Sequence, residues 1–376
     1  MKRKLLVAVP LLFVVAVLAW VFRPKHETHS ESYISERSVT LWSSVAQVRE
    51  PLDTLHYGDR VDVIARRNDN AKVRTTTGAV GWVDARLLME PALWQRSAKL
   101  LAEAQSLPVQ ARGRTKVATN LRAQPGRTQP RLYQFGRGIP VEIVGRAVAD
   151  WVRAADEKEI PSESSQPKKE EWLFIRGLAT RPPSETNVRA SETTTTRPGD
   201  QTIPIAGWIV GRFVELEMPD AVREGTAAAN VRPVAWFELN MVSDPSGAKP
   251  QYLVAGARGP DWQPCDFTSI RVYTWNHKKS RYETAYIENK LCGSMPVRIG
   301  MGPKSEPEFR FHNKEAAAKG GGTEERTYRL MQTVVRRIRE PGSEASAVKK
   351  TKAKKTTKNP TKSATKPRKK RSSSRP

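Results

Sequence analysis

Gly58-Asp59-Arg60-Val61-Asp62-Val63-Ile64 and, further on, Gly138-Ile139-Pro140-Val141-Glu142-Ile143-Val144 decide how this chain is read. Each sets a glycine before a run in which apolar and polar residues alternate, the two-residue period of a strand with one buried face. Each is followed by a late Gly-Trp pair: Gly81-Trp82-Val83-Asp84-Ala85-Arg86-Leu87 in the first copy, Gly207-Trp208-Ile209-Val210-Gly211-Arg212-Phe213 in the second. Each is preceded by an Arg-containing opening, Val48-Arg49-Glu50-Pro51 and Leu121-Arg122-Ala123-Gln124-Pro125. The same order of features twice reads as a duplicated small β module. Such a duplication points to a binding array more than to an active site.

The rest of the chain is arranged around these copies. Residues 26–36 are polar and read as a tether, and 37–90 as the first module. Gly78-Ala79-Val80-Gly81 reads as the turn before its last strand. Residues 91–113 form a helical linker: Leu93, Ala98, Leu100, Leu101 and Ala104 keep a helical period, which Pro108 stops. Residues 114–217 are the second module, lengthened by two polar insertions at about 148–169 and 178–202, read as mobile loops. Residues 231–340 contain strand-like pieces at Tyr252–Ala255, Ser269–Trp275, Arg281–Ile287 and Tyr328–Val335, with Asn276–Ser280 as a hairpin loop. They read as a third, small antiparallel β domain of unassigned type. From 341 to 376 the chain is low in complexity, rich in lysine and free of aromatics, and is expected to be disordered.

Of the net charge of +25, thirteen charges lie between Lys349 and Arg375, so the remainder of the chain carries +12. The extreme basicity therefore belongs partly to one tail. Two cysteines, Cys265 and Cys292, are too few for a zinc site of the usual spacing. They flank the central hairpin of the third domain, and a disulfide between them would staple its ends; two buried thiols are the alternative.

Leu5 to Phe22 is an uncharged apolar run. At 1.5 Å per residue it spans roughly 27 Å, enough to cross a bilayer. Lys2, Arg3 and Lys4 before it favour a cytoplasmic N-terminus and an exported body. Residues 1–25 are thus expected to be a signal anchor or transmembrane helix, with a cleaved signal peptide ending near Val17-Leu18-Ala19 as the alternative.

With the openings, the alternating strands and the late Gly-Trp pairs in view, the two copies resemble bacterial SH3 (SH3b) domains. The Asn120-Leu121-Arg122-Ala123-Gln124-Pro125-Gly126 opening is the stronger match, and Trp172-Leu173-Phe174-Ile175 adds a further family feature that the first copy lacks, having Asn70 before Val73. The resemblance implies small five- to six-stranded barrels that, in exported proteins, recognise cell-wall peptides or protein partners. The expected fold is therefore mostly β: a transmembrane helix, two SH3-like barrels joined by a helix, a third antiparallel β domain and a basic tail.

The candidate ligand-binding residues are Arg49, Tyr57, Trp82, Arg122, Tyr133, Trp172 and Trp208. The arginines offer a planar fork to a carboxylate, and the aromatics offer a stacking surface. Trp42 and Trp151 lie near predicted loops and join the exposed-aromatic candidates. Each also has a structural reading: the Gly-Trp tryptophans as core closures, the arginines as turn braces.

No catalytic residue, cofactor or metal is expected. Gly-x-Ser-x-Gly, His-Glu-x-x-His and P-loop patterns are missing. His26 and His29 lack further ligands nearby, and His56, His277 and His312 are scattered. Cys265 with His277 has no recognisable nucleophile context. The expected role is a non-enzymatic binding or scaffold protein, single-pass in the inner (cytoplasmic) membrane with its body extracytoplasmic. Its expected partners are cell-wall peptide, peptidoglycan or an envelope protein, the membrane through Leu5–Phe22, and polyanions through Lys349–Arg375. Nucleic acid is not the expected partner of an exported chain. Two alternatives stay open: a cytoplasm-facing nucleic-acid-associated factor acting through the tail, and an unrecognised enzyme in residues 231–340.

Overall fold

The computed structural model describes residues 30–152, 169–181, 201–260, 263–314 and 323–339. They form three seven-stranded antiparallel sheets. The first contains β1 (Ser30–Ile34), β2 (Ser38–Trp42), β3 (Pro51–His56), β4 (Arg60–Arg67), β5 (Asn70–Thr75), β6 (Val80–Asp84) and β7 (Leu88–Met89). Helix α1 (Pro91–Ser106) follows. The second sheet contains β8 (Ala111–Thr115), β9 (Thr119–Arg122), β10 (Arg131–Phe135), β11 (Pro140–Asp150), β12 (Lys169–Arg181), β13 (Gln201–Val210) and β14 (Val214–Glu217).

The strand orders are β3-β2-β6-β5-β4-β1-β7 and β10-β9-β13-β12-β11-β8-β14. Taken strand by strand these are the same order, so the duplication seen in the sequence has a topological counterpart. Gly58 and Gly138 hold equivalent places before β4 and β11, with φ of 84° and 78°. Only glycine enters that left-handed region without cost.

The expected closed barrels are corrected. Each sheet is open, with two ends: among the described residues β3 pairs only with β2, and β7 only with β1. The expected tether is corrected with it. Ser30–Ile34 is polar in composition, yet Ser32 and Ile34 are buried, and β1 lies between β4 and β7. That burial supplies a strand which the barrel reading leaves out.

The third sheet follows helix α2 (Asp220–Ala228) and runs in chain order: β15 (Arg232–Val242), β16 (Lys249–Ala257), β17 (Phe267–Asn276), β18 (Arg281–Met301), β19 (Pro307–Asn313), β20 (Glu324–Met331) and β21 (Val334–Ile338). The segment read as one strand, Tyr328–Val335, is two. Gln332 turns the chain at φ 56°, and β20 folds back on β21. Cys265 and Cys292 are joined in a disulfide with a Cα–Cα distance of 4.7 Å. It ties the segment entering β17 to the middle of β18.

The first two units share a core. Tyr57 and Met89 from the first join Leu100 and Ala104 of α1 and Leu121, Phe135, Ile143 and Ile175 of the second. The join is aromatic: Tyr33 stacks on Trp94 at 4.8 Å, and Tyr57 meets Tyr133 edge-on at 5.0 Å. Gln110, fully buried, links the second unit to the third. It exchanges two hydrogen bonds with Val297, and its carbonyl accepts from the Trp236 N–H.

The insertions in the second unit are shorter than expected. Ala147–Asp150 pairs with Lys169–Trp172, and Leu178–Arg181 pairs with Gln201–Pro204, so their ends are strand, not loop. The anchor segment Leu5–Phe22 and the tail Lys349–Arg375 lie outside the described residues. Among the described residues no helix is long and apolar enough to cross a membrane. The single-pass location, the extracytoplasmic body and the membrane as a partner are therefore not carried further.

Candidate functional site

Three of the seven predicted ligand-binding residues are core. Tyr57 is 2% exposed, Tyr133 3% and Trp172 1%. Burial raises the pKa of both tyrosines, and the Tyr133 hydroxyl accepts from the Thr180 N–H. Tyr57 and Tyr133 meet at the junction of the two units; their role is packing.

The other four fall into two places, but in a register different from the expected one. Trp82 pairs across the sheet with Trp42, and Trp208 pairs with Arg122. A side chain at Gly81 would strike Leu41 and the Trp42 carbonyl; one at Gly207 would strike Leu121 and the Arg122 carbonyl. Leu41-Trp42 is thus the counterpart of Leu121-Arg122, and the expected match of Arg49 with Arg122 is corrected. Arg49 lies in the connection before β3, with its guanidinium 4.2 Å from the Trp42 ring. Arg122 donates to the Gln129 carbonyl. Burial, then the neighbouring Arg131 and Arg127, lowers its pKa. Trp208 is half-buried and stacks on Phe174 at 4.9 Å. Trp151 lies beneath the Arg127 guanidinium, whose fork holds Glu170.

The concavity with the most definite chemistry is elsewhere, between α1 and the second sheet. It has a volume of about 490 Å³. Its apolar walls are Leu101 from α1, Pro140 and Val141 from β11, Leu178 from β12 and Pro204 from β13. Its polar fringe is Gln105, Arg112, Glu142, Arg176 and Glu217.

Strand register builds that fringe. Glu217 is opposite Arg112, Arg112 opposite Glu142, and Glu142 opposite Arg176, one residue from each of β14, β8, β11 and β12. Residues in register across a sheet share a face, so the four charges form one row of alternating sign. Glu142 accepts from Arg112 Nε at 3.4 Å through one oxygen and from Arg176 Nε at 2.6 Å through the other. Arg176 Nη1 reaches the Ala104 carbonyl near the end of α1 at 3.4 Å. Glu217 is engaged by Arg114. Leu178, two residues beyond Arg176 and opposite Pro204, continues the same face and is 48% exposed.

None of these residues stands out in the sequence. Arg112 and Arg114 are two arginines among many, and Leu178 marks the start of a polar insertion. The row exists only once four strands are in register.

A second concavity of about 530 Å³ lies at the junction of the first two units, lined in part by Leu88, Leu93, Arg96 and Gln124. It is wider and has no comparable row of charges.

His277 and Cys265, the pair considered as a thiol–imidazole dyad, are both engaged. Asp244 accepts from the Trp275 indole and from Ser246, and it holds His277 Nδ1 at 2.7 Å. Cys265 is in the disulfide, so a thiol dyad with His277 does not form. Among the described residues no three His, Cys, Asp or Glu side chains are grouped to hold a metal ion. The pair His26 and His29 lies outside the described residues.

No family model matches this chain. No curated protein matches it either. Among solved structures it is similar to NlpC2 from Trichomonas vaginalis, with 9% identity and a TM-score of 0.16 over 80% of this chain and 93% of that one. NlpC1 from the same organism gives 9% identity and 0.16 over 71% and 95%. Likeness at that TM-score carries no argument. With open sheets and no matching family model, the resemblance to SH3b domains is withdrawn. The cell-wall and envelope partners that it implied go with it.

Proposed function

We propose that this chain is a non-enzymatic ligand-binding protein, that its site is the cleft between α1 and the second sheet, and that the ligand is a small molecule with an apolar body. The cleft itself carries the reading. Its volume of about 490 Å³ falls within the roughly 300–1,000 Å³ of small-molecule sites. It combines apolar walls with a few fixed polar groups, the usual division between affinity and orientation. The scaffold beneath is packed: Val141 is 3% exposed, Leu100 2% and Ala104 0%. Leu178 at the mouth is a large apolar side chain left half in water, and a ligand that covers it gains the burial. A binding role without chemistry is supported by Cys265 and Cys292 being spent on each other, and by Ser246 bonding Asp244 and not the imidazole of His277.

The test is calorimetric titration of the full chain with decanol, a probe with an apolar body and an uncharged head. Binding is expected, and Leu178→Asp should weaken it at least about tenfold, the scale on which burying one apolar side chain contributes to affinity. Unfolding of the variant without probe should change little, since about half of the side chain is already in water. No binding, or equal binding by Leu178→Asp, would overturn the reading.

A further inference from the structure

We infer that the ligand of this cleft is an amphipathic carboxylate, its head held by Arg112 and Arg176 and its body laid over Leu178 and Pro204. The inference rests on the cleft being the ligand site and adds the sign and chemistry of the head group.

The charges on the fringe are equal in number but not in use. Arg112 and Arg176 line the cleft with Glu142 and Glu217, and Arg114, outside the lining, pairs with Glu217. Both carboxylates are already engaged. Glu142 gives one oxygen to each of two arginines, and Glu217 is taken by Arg114.

The arginines, by contrast, are only partly used. Arg112 and Arg176 both approach Glu142 through Nε. Among the described residues, the terminal nitrogens of Arg112 make no hydrogen bond, and Arg176 uses only Nη1, at 3.4 Å, on the Ala104 carbonyl. A guanidinium has five N–H donors in a planar fork that matches the two oxygens of a carboxylate. Two such forks, joined through their shared Glu142, leave donors available in the fringe of the cleft.

The order along the strand sets the body. Arg176 and Leu178 are two residues apart on β12 and share a face, and Pro204 is directly across from Leu178. A ligand whose head meets the arginines therefore lays its body on the apolar side. An ammonium head would meet Glu142 with both oxygens already accepting and Glu217 already paired with Arg114.

The experiment compares decanoate, decanol and decylammonium in calorimetric titrations of the full chain at neutral pH and low salt, with the wild type and Arg112→Gln. Arg112 is 64% exposed, so glutamine there leaves the fold intact. Decanoate should bind about tenfold or more tightly than decanol, in line with one charge-assisted hydrogen-bonded pair. That preference, read as the ratio of the two affinities within each protein, should shrink in Arg112→Gln. Equal affinity for the three heads, or tighter binding of decylammonium, would overturn the inference and leave the cleft as a site. Failure of all three probes would overturn both.

Discussion

Gln110 and Val297 exchange two hydrogen bonds across the junction of the second and third units: Gln110 Nε2 donates to the Val297 carbonyl at 3.1 Å, and the Val297 N–H donates to Gln110 Oε1 at 2.8 Å. The side-chain amide thus stands in for a strand neighbour. Gln110 is fully buried, so both Val297 groups depend on it. Gln110→Leu removes both partners and leaves an N–H and a C=O buried without them. The expected loss is about 2–4 kcal/mol, the cost of two unsatisfied buried groups. Urea unfolding of the variant against the wild type measures it; a loss near zero would mean that water replaces the amide.

Cys265 and Cys292 close a loop with a sequence separation of 27. Restricting the unfolded chain over that length is worth about 3.5 kcal/mol in the chain-entropy model. Replacing both cysteines with serine, or unfolding in a thiol reductant, should lower the stability of the third unit by up to that amount. Equal unfolding curves with and without reductant would show that the bridge contributes nothing to stability.

The hairpin tip gives a pH prediction. Hydrogen bonds from Lys279, then Asn276 and Arg281, pull the Glu283 carboxyl down from about 4.5 to about 2. A carboxyl depressed in the folded state contributes stability that is present above its unfolded value and lost as pH falls through its folded value. The loss should therefore appear between about pH 4.5 and pH 2. Glu283→Gln should be less stable than the wild type at neutral pH and should converge with it towards pH 2. Unfolding midpoints across that range provide the check, and parallel curves would count against the assignment.

Much of the fold is legible in the sequence where burial follows the local period. Val61 and Val63, Val141 and Ile143, and the Leu100 and Ala104 stripe of α1 are buried as their spacing requires. The hairpin turning at Asn276–Ser280 is legible from a polar loop set between two runs rich in β-branched and aromatic residues, which pair as β17 and β18. What stays hidden depends on partners distant in sequence. Val48-Arg49-Glu50-Pro51 resembles Leu121-Arg122-Ala123-Gln124-Pro125 in letters. The fold instead matches Leu41-Trp42 to Leu121-Arg122, because Leu41 and Leu121 pack against Gly81 and Gly207. The residue after that leucine is free to differ, tryptophan in one unit and arginine in the other. The cleft is hidden for a related reason: Glu217, Arg112, Glu142 and Arg176 come from four strands and acquire meaning only as a row. Ser30–Ile34 is obscured by composition, since three of its five residues are polar while its partners bury Ser32 and Ile34.

Arg146 carries the remaining prediction. Its side chain is 2% exposed and joins the second unit to the third: Nε meets Glu171, while Nη1 meets Asp266 at 3.1 Å and the Gln263 carbonyl at 3.2 Å. Asp266 in turn accepts from the Met295 N–H and follows directly after the disulfide cysteine Cys265. Removing the guanidinium leaves two poorly solvated carboxylates without their shared partner, with Arg232 at 3.4 Å from Glu171 as partial compensation. Breaking a buried ion network by deleting one member costs about 3–5 kcal/mol, because the abandoned charges stay buried. Arg146→Met should therefore destabilise by about that amount. The triple change that also makes Glu171→Gln and Asp266→Asn should recover a large part of the loss, since it removes the stranded charges as well. Denaturant unfolding of the two variants decides it: a triple variant no more stable than Arg146→Met would locate the cost in poorer packing and not in the unpaired carboxylates.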